Sequence, residues 1–337
     1  MKKFAILLTV CLASGSLFMI GCSKSNNSAP AAGNGNNPTA SSASGGSAPT
    51  GPITLKIKWQ AGKTYAMEMD LNQTTDINVP NSPVHQELKL TQGVQYSPLK
   101  ALDNGGNQVK LQFNRMSIDL VQGGKEVLSY DSSDTAAVPT NGPAAPVAAA
   151  MHAMLDVPLV FTFAADGTVQ TIDGLDTLAS RVNEAVPDSR TRMALQQLFD
   201  KDTLKQYGAF SEELPDHPVS VGDSWSSSRD INSQAGVFTI DSTYTFKGWE
   251  QHNGHNCVRL AIAGDIKSKT SSASTIGAVV DVKKGTIGGD SWFDPDLGMF
   301  VDINADQDLV LNITTRTMTL TQHQKQNVKM PLLDVSP

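Results

Sequence analysis

The sequence predicts a β-rich α+β fold, with long curved antiparallel sheets packed on helices and arranged as two related halves. Three observations predict it. From residue 53 onward apolar and polar residues alternate over strand-length runs, as when Tyr65, Met67, Met69 and Leu71 interleave with Ala66, Glu68, Asp70 and Asn72. Asn-Gly pairs at 104 and 253 separate such runs, where a tight hairpin needs residues that tolerate positive φ. Helical periodicity is concentrated in the middle of the chain, so helices are available to cover the apolar face of the strands.

Residues 1–21 have the organisation of a signal peptide: a basic Met1-Lys2-Lys3, the apolar run FAILLTVCLASGSLFMI, and Gly21 before a cysteine. The run is too short to read as a spanning helix. Met19-Ile20-Gly21-Cys22 resembles the lipobox of bacterial lipoproteins, with Met19 standing where Leu, Val or Ile is usual. The resemblance implies cleavage before Cys22 and acylation of that residue, as diacylglycerol plus a further chain such as palmitate. Residues 22–52 are then the lipidated cysteine and a tether whose SKSNNSAPAAGNGNNPTASSASGGSAPTG offers almost nothing to bury. A coil of that length spans about 30 Å. Several acyl chains make such an anchor stable where one alone is marginal. Ser23 lacks the Asp that resembles an inner-membrane retention signal, so the expected address is the cell envelope, on an outer membrane if two membranes are present.

The net charge is −7, and removing residues 1–21 takes two lysines and no acid, leaving −9. Nucleic acid and anionic lipid surfaces are poor partners for such a chain. Cys11 leaves with the signal and Cys22 carries lipid, so Cys257 is alone and no internal disulfide can form. The core alone must hold the fold.

The first half is placed at 53–173. In it Val109, Leu111 and Phe113 share one parity and Met116, Ile118 and Leu120 the other, so the slip at Asn114-Arg115 predicts a β-bulge within a long hairpin over 87–120. GPAAPVAAAMHAML (142–155) is a helix candidate beginning after its prolines. A helical connector follows at 174–218: Asp176 is expected to cap a helix carrying Leu178, Val182 and Ala185 and ended by Pro187. Asp188 or Ser189 starts another with Met193, Leu195, Leu198 and Phe199, and Leu204 with Tyr207 suggests a short turn before Gly208. The second half, 219–321, contains Phe238, Ile240, Tyr244 and Phe246 in a strand returning as Val258, Leu260, Ile262 and Ile266. Residues 322–337 are expected as a C-terminal tail. Duplication is suggested by AGKTY (61–65) with VGDSW (221–225), by the two Asn-Gly hairpins, and by FTFAADGTV (161–169) with SWFDPDLGMFV (291–301).

Candidate sites are few. Asp302, Asn304, Asp306 and Asp308 alternate like the start of a calcium hand, but Gln307 and Ile313 occupy the places that need Gly and Glu. By the other parity the same stretch is a half-buried strand. His252 and His255 flank a turn without a third ligand nearby, so no metal site and no cofactor is expected. Cys257 would need a base to become a nucleophile, and it shares parity with Arg259, Ala261 and Ala263. GDSW occurs at 222–225 and 289–292, yet the α/β context and downstream Asp/His pair of esterases that use a Gly-Asp-Ser block are absent.

Together the lipobox, the tether, GKTYAMEMD, the NGG hairpin, DGTVQTIDG, PDHPVSVGDSW and GGDSWFDPDLGMF resemble an uncharacterised family of bacterial envelope lipoproteins. The resemblance implies no catalytic residues. In outline, long strands wrapped on helices also look like lipoproteins that carry acyl chains in a half-barrel. The expected function is a non-enzymatic, membrane-tethered binding or structural module, whose partners are the membrane, through the lipid, and an envelope protein or apolar small molecule. An alternative is a carrier holding an acyl chain or other apolar ligand against Tyr65, Met67, Met69, Phe113, Phe238, Tyr244 and Phe246. A second alternative, a hydrolase, would need Ser224 or Ser291 beside a histidine.

Overall fold

The computed structural model describes residues 51–337 except 81, 135–138, 140, 143, 190–191, 193–200, 234–235, 270–277 and 316–317. The signal peptide, Cys22, nearly all of the tether and the helix expected over Met193–Phe199 lie outside the described residues.

Strands β1 (Thr64–Asn78), β2 (Val84–Ala101), β3 (Asn107–Gln122), β4 (Lys125–Asp131), β5 (Leu159–Phe163) and β6 (Val169–Asp173) form the first half. The second contains β7 (Ser224–Ser233), β8 (Gly236–His252), β9 (His255–Ser268), β10 (Val279–Asp294), β11 (Met299–Thr314), β12 (Thr319–Lys329) and β13 (Leu332–Ser336). All belong to one antiparallel sheet of 13 strands in the order β6-β5-β3-β2-β1-β12-β11-β10-β9-β8-β7, with β4 on β3 and β13 on β1. Alternation explains the strands: in β1 every second residue from Tyr65 to Ile77 is buried, and in β11 every second residue from Val301 to Ile313.

The expected bulge is present. The β2–β3 register shifts where Gly93 faces Arg115 and Val94 faces Phe113, leaving Asn114 as the extra residue. Gly93 leaves room for the bulge, since a Cβ would lie 3.0 Å from the Arg115 Cβ and would make the Asn114 carboxamide turn away. At the β8–β9 turn Asn253 and Gly254 both have positive φ (49° and 83°), the geometry of a tight two-residue hairpin.

Each half runs through the same neighbour order, β1-β2-β3-β5-β6 in one and β7-β8-β9-β10-β11 in the other. Equivalent aromatic pairs face each other: Tyr65 with Tyr96, and Trp225 with Tyr244. The segment 322–337, expected as a tail, is instead mostly strand. β12 lies between β1 and β11 and joins the halves into one sheet, while β13 continues along β1 beyond Pro331.

Helix α1 (Ala145–Met154), α2 (Leu175–Ala185), the short α3 (Lys201–Lys205) and a 3-10 segment (Gln206–Glu213) supply the cover. Asp176 does not cap α2. The chain leaves β6 through Gly174 at φ 94°, which serves as N-cap, and Asp176 lies in the first turn, where a carboxylate still favours the helix dipole. The turn expected to end before Gly208 continues through it, because Gly208 packs with no room for a Cβ against Val169, Phe161 and Phe163.

The 3-10 segment ties the halves. Tyr96 donates its hydroxyl to the Tyr207 carbonyl (2.8 Å), the Tyr207 hydroxyl donates to Gln92 (2.6 Å), and the Trp225 indole donates to the Glu213 carbonyl (2.8 Å). The main core runs from Leu55 and Tyr65 through α1, α2 and the 3-10 segment to Phe293, Phe300 and Val328. A second cluster, Ile231, Phe238, Ile240, Ile266, Leu309, Leu311 and Ile313, belongs to the second half.

Candidate binding groove on the wet face of the sheet

The residues predicted to line an apolar ligand are packed. Tyr65, Met67, Met69, Phe113, Phe238, Tyr244 and Phe246 are all buried. Phe113 meets Tyr207 edge-on with ring centroids 5.1 Å apart, and Tyr244 stacks on Trp225 at 5.9 Å. None of the seven borders the cavity on the wet face or the smaller one at the end of the first half.

Between the clusters the inner face carries an unexpected polar seam. Gln73, Gln86, Gln307, Gln322, Gln324 and Gln326 are buried at positions whose parity elsewhere is apolar. Gln324 donates to Gln73 (3.1 Å) and Gln326 (3.2 Å), and Gln322 donates to Gln324 (3.3 Å). Both amide atoms of Gln307, the Gln322 Oε1 and the Gln326 Nε2 have no hydrogen-bond partner.

On the opposite face a cavity of about 580 Å³ crosses five strands where the halves join. Two cross-strand rows border it. Lys89, Asn72, Asn327, Asp306 and Gly288 make one; Glu87, Thr74, Lys325, Asp308 and Thr286 make the other. Most of these residues are exposed, whereas Gln73, Leu88, Gln307 and Gln326 between the rows are buried, so the groove opens to solvent on the wet face. Asp308 is held by Lys284 (2.8 Å) and His323 (2.6 Å), and these bonds keep its carboxyl below the usual range. The Asn327 amide donates to Asn304 and Asp306, both at 2.9 Å. Lys89 and Lys325 make no ion pair among the described residues. The groove is a mixed polar trough of amides, hydroxyls, the carboxylates of Glu87, Asp306 and Asp308, and two ammonium groups without an ion pair among the described residues.

The acids of β11 that resembled a calcium hand face this wet side and pair with side chains instead, Asp302 with His252 (2.9 Å) among them. Among the described residues no group of three His, Cys, Asp or Glu is placed to hold a metal. His252 stacks on Trp292 at 4.0 Å, and His255 bonds Asp294 (2.8 Å). Cys257 is fully buried, and burial, with Asp294 and Glu250 nearby, pushes its thiol up to about 12. The Ser224 hydroxyl lies 2.9 Å from that of Thr245, and the buried Ser291 hydroxyl has no partner, so neither serine meets a histidine.

A family model matches residues 104–300, more than half of the chain. The chain belongs to the family of unknown function DUF6263. The match runs from the turn before β3 to the start of β11, and so covers the helical connector and the helices under the first half. No curated protein matches the chain. Among solved structures it is similar to lipovitellin, in a study of lipid–protein interactions, at 11% identity and a TM-score of 0.45 over 83% of this chain; it spans about a quarter (26%) of lipovitellin's length. An exported protein with a YmcC-like fold from Bacteroides fragilis is 12% identical with a TM-score of 0.27, covering 85% of this chain and 100% of that one. An outer membrane lipoprotein-sorting protein domain from Vibrio parahaemolyticus is 8% identical with a TM-score of 0.17, over 84% and 87% of the two chains.

The groove residues had no signal in the sequence. Lys89, Asn72 and Lys325 occupy the polar parity that any half-buried strand shows, and only strand order brings them together.

Proposed function

We propose that this DUF6263 chain is a non-enzymatic, lipid-tethered binding module of the cell envelope that takes an extended polar ligand in the wet-face groove. The observation that carries the reading is the groove itself, a volume of about 580 Å³ across the seam of the two halves, lined by amides, hydroxyls, three carboxylates and two lysines without an ion pair among the described residues. The signal and the Cys22 lipobox support the envelope address. The high thiol pKa of Cys257 and the isolation of Ser224 and Ser291 from histidines support a role without catalysis. Two measurements test the proposal. Cys22→Ser should move the protein from the membrane fraction to the soluble fraction. A photo-crosslinking residue at Asn72 should capture an envelope component that the same residue at Leu99, an exposed site away from the groove, does not capture. Equal capture at both positions, or substrate turnover by the purified protein, would count against the reading.

A second reading places an apolar ligand on the inner face. The aliphatic cluster of the second half, to which no helix residue contributes among the described residues, favours it. Native mass spectrometry of the purified chain without co-purified lipid would remove it.

A further inference from the structure

A smaller cavity of about 190 Å³ lies at the end of the first half and shares no residue with the groove. Residues 56–59 form one side, the turns at 105–107 and 164–167 the others, and Phe210 and Ser211 of the 3-10 segment close it. Trp59 is the anchor. Its ring packs against Tyr65 (5.6 Å, edge-on), Tyr96 and Phe163 (both 5.7 Å), so it is fixed while remaining partly exposed. The walls cannot fill in. Gly167 at φ 84° sits so close to Ser211 that a Cβ would lie 2.6 Å from its side chain.

The polar groups of this cavity divide into used and unused. Ser211 donates to the Gly167 carbonyl (2.7 Å), Asp166 accepts from the Thr168 amide and hydroxyl (2.9 and 2.7 Å), and the Lys58 ammonium donates to the Pro295 carbonyl (2.6 Å). The carboxamide of Asn107 and the ammonium of Lys56 have no partner among the described residues. A cavity near the ~150 Å³ that holds one benzene ring admits a single substituted six-membered ring. The partly exposed Trp59 ring suits an apolar ring face, and a free carboxamide, with both donors and an acceptor, suits neighbouring hydroxyls.

We propose that this cavity binds one pyranose ring of a glycan, with the C–H face of the sugar on the partly exposed Trp59 and its hydroxyls on Asn107 and Lys56. The site is separate from the groove and stands whether or not the groove binds a partner. The test is saturation-transfer NMR on the purified chain with cellobiose and with chitobiose, using phenol as a control for a plain aromatic ring. Transfer to the C–H protons of one pyranose ring is expected, with affinity about tenfold weaker in Asn107→Ala. Trp59→Phe, which keeps an aromatic ring in the packing, should weaken binding while the thermal midpoint of Asn107→Ala stays near that of the parent. No transfer to either disaccharide at millimolar concentration would overturn the proposal. So would sugar binding unchanged in Asn107→Ala, or phenol binding in preference to both sugars.

Discussion

Replacing Glu213 with Gln should flatten the dependence of stability on pH. Glu213 ends the 3-10 segment, is 3% exposed, and has an unpartnered Oε2. Burial raises its carboxyl from 4.5 to about 7, against the lowering influence of Arg229 and of a hydrogen bond from Tyr244. The native state therefore holds this proton to higher pH than the unfolded chain does. The stability it contributes is fully present below 4.5 and is lost as pH rises through about 7. At about 1.36 kcal/mol per pH unit, the loss between pH 5 and pH 8.5 comes to about 2.5 kcal/mol. For a domain of this size that is a fall of roughly 5 °C in the thermal midpoint. Glu213→Gln keeps the shape and removes the titration. Thermal unfolding of both proteins from pH 5 to pH 8.5 should show near-equal midpoints at the acid end and the variant higher by about 5 °C at the alkaline end. Parallel curves would refute the reasoning, and would mean that water reaches the carboxyl or that Arg229 holds it ionised throughout.

Gly174→Ala should destabilise by about 1–3 kcal/mol in urea unfolding, because φ is 94° there and the new Cβ would lie 2.5 Å from the Pro158 carbonyl oxygen. Gln307→Leu should raise stability by about 1–3 kcal/mol, since both buried amide atoms lack partners and the replacement has nothing to leave unpaired. Chemical denaturation reads it directly, and a loss of stability would show that the amide is satisfied in solution. The Cys257 thiol should resist a maleimide at pH 8 in the native protein and react promptly in denaturant, as its burial and raised pKa require.

Much of the fold was legible because the signal is local. Alternation in Tyr65–Leu71 and Val301–Ile313, the slip at Asn114 and the Asn253-Gly254 turn each concern neighbours in the chain, and each appears in the structure. β12 was not legible. Its QHQKQNVK has one apolar residue, Val328, so no period-two hydrophobic pattern marks it. It becomes a central strand only because β1 and β11 flank it and bury its glutamines. Asp176 misled for a related reason: its residue type suits a cap, but the exit from β6 needed the left-handed Gly174 two residues earlier. The groove and the Trp59 cavity depend on which strands and turns become neighbours, information that no single segment holds.

The place of β12 has a kinetic consequence. Leu71 pairs with Val328, so the strand that closes the sheet comes from the far end of the chain relative to its partner. Such sequence-distant pairing is slow to form, because the entropy of closing a long loop must be met before the contacts return anything. Each half can gather its own meander early, yet their union waits until nearly every intervening residue has been synthesised. A chain of which only the part before β12 has emerged would thus lack its keystone and stay pliable.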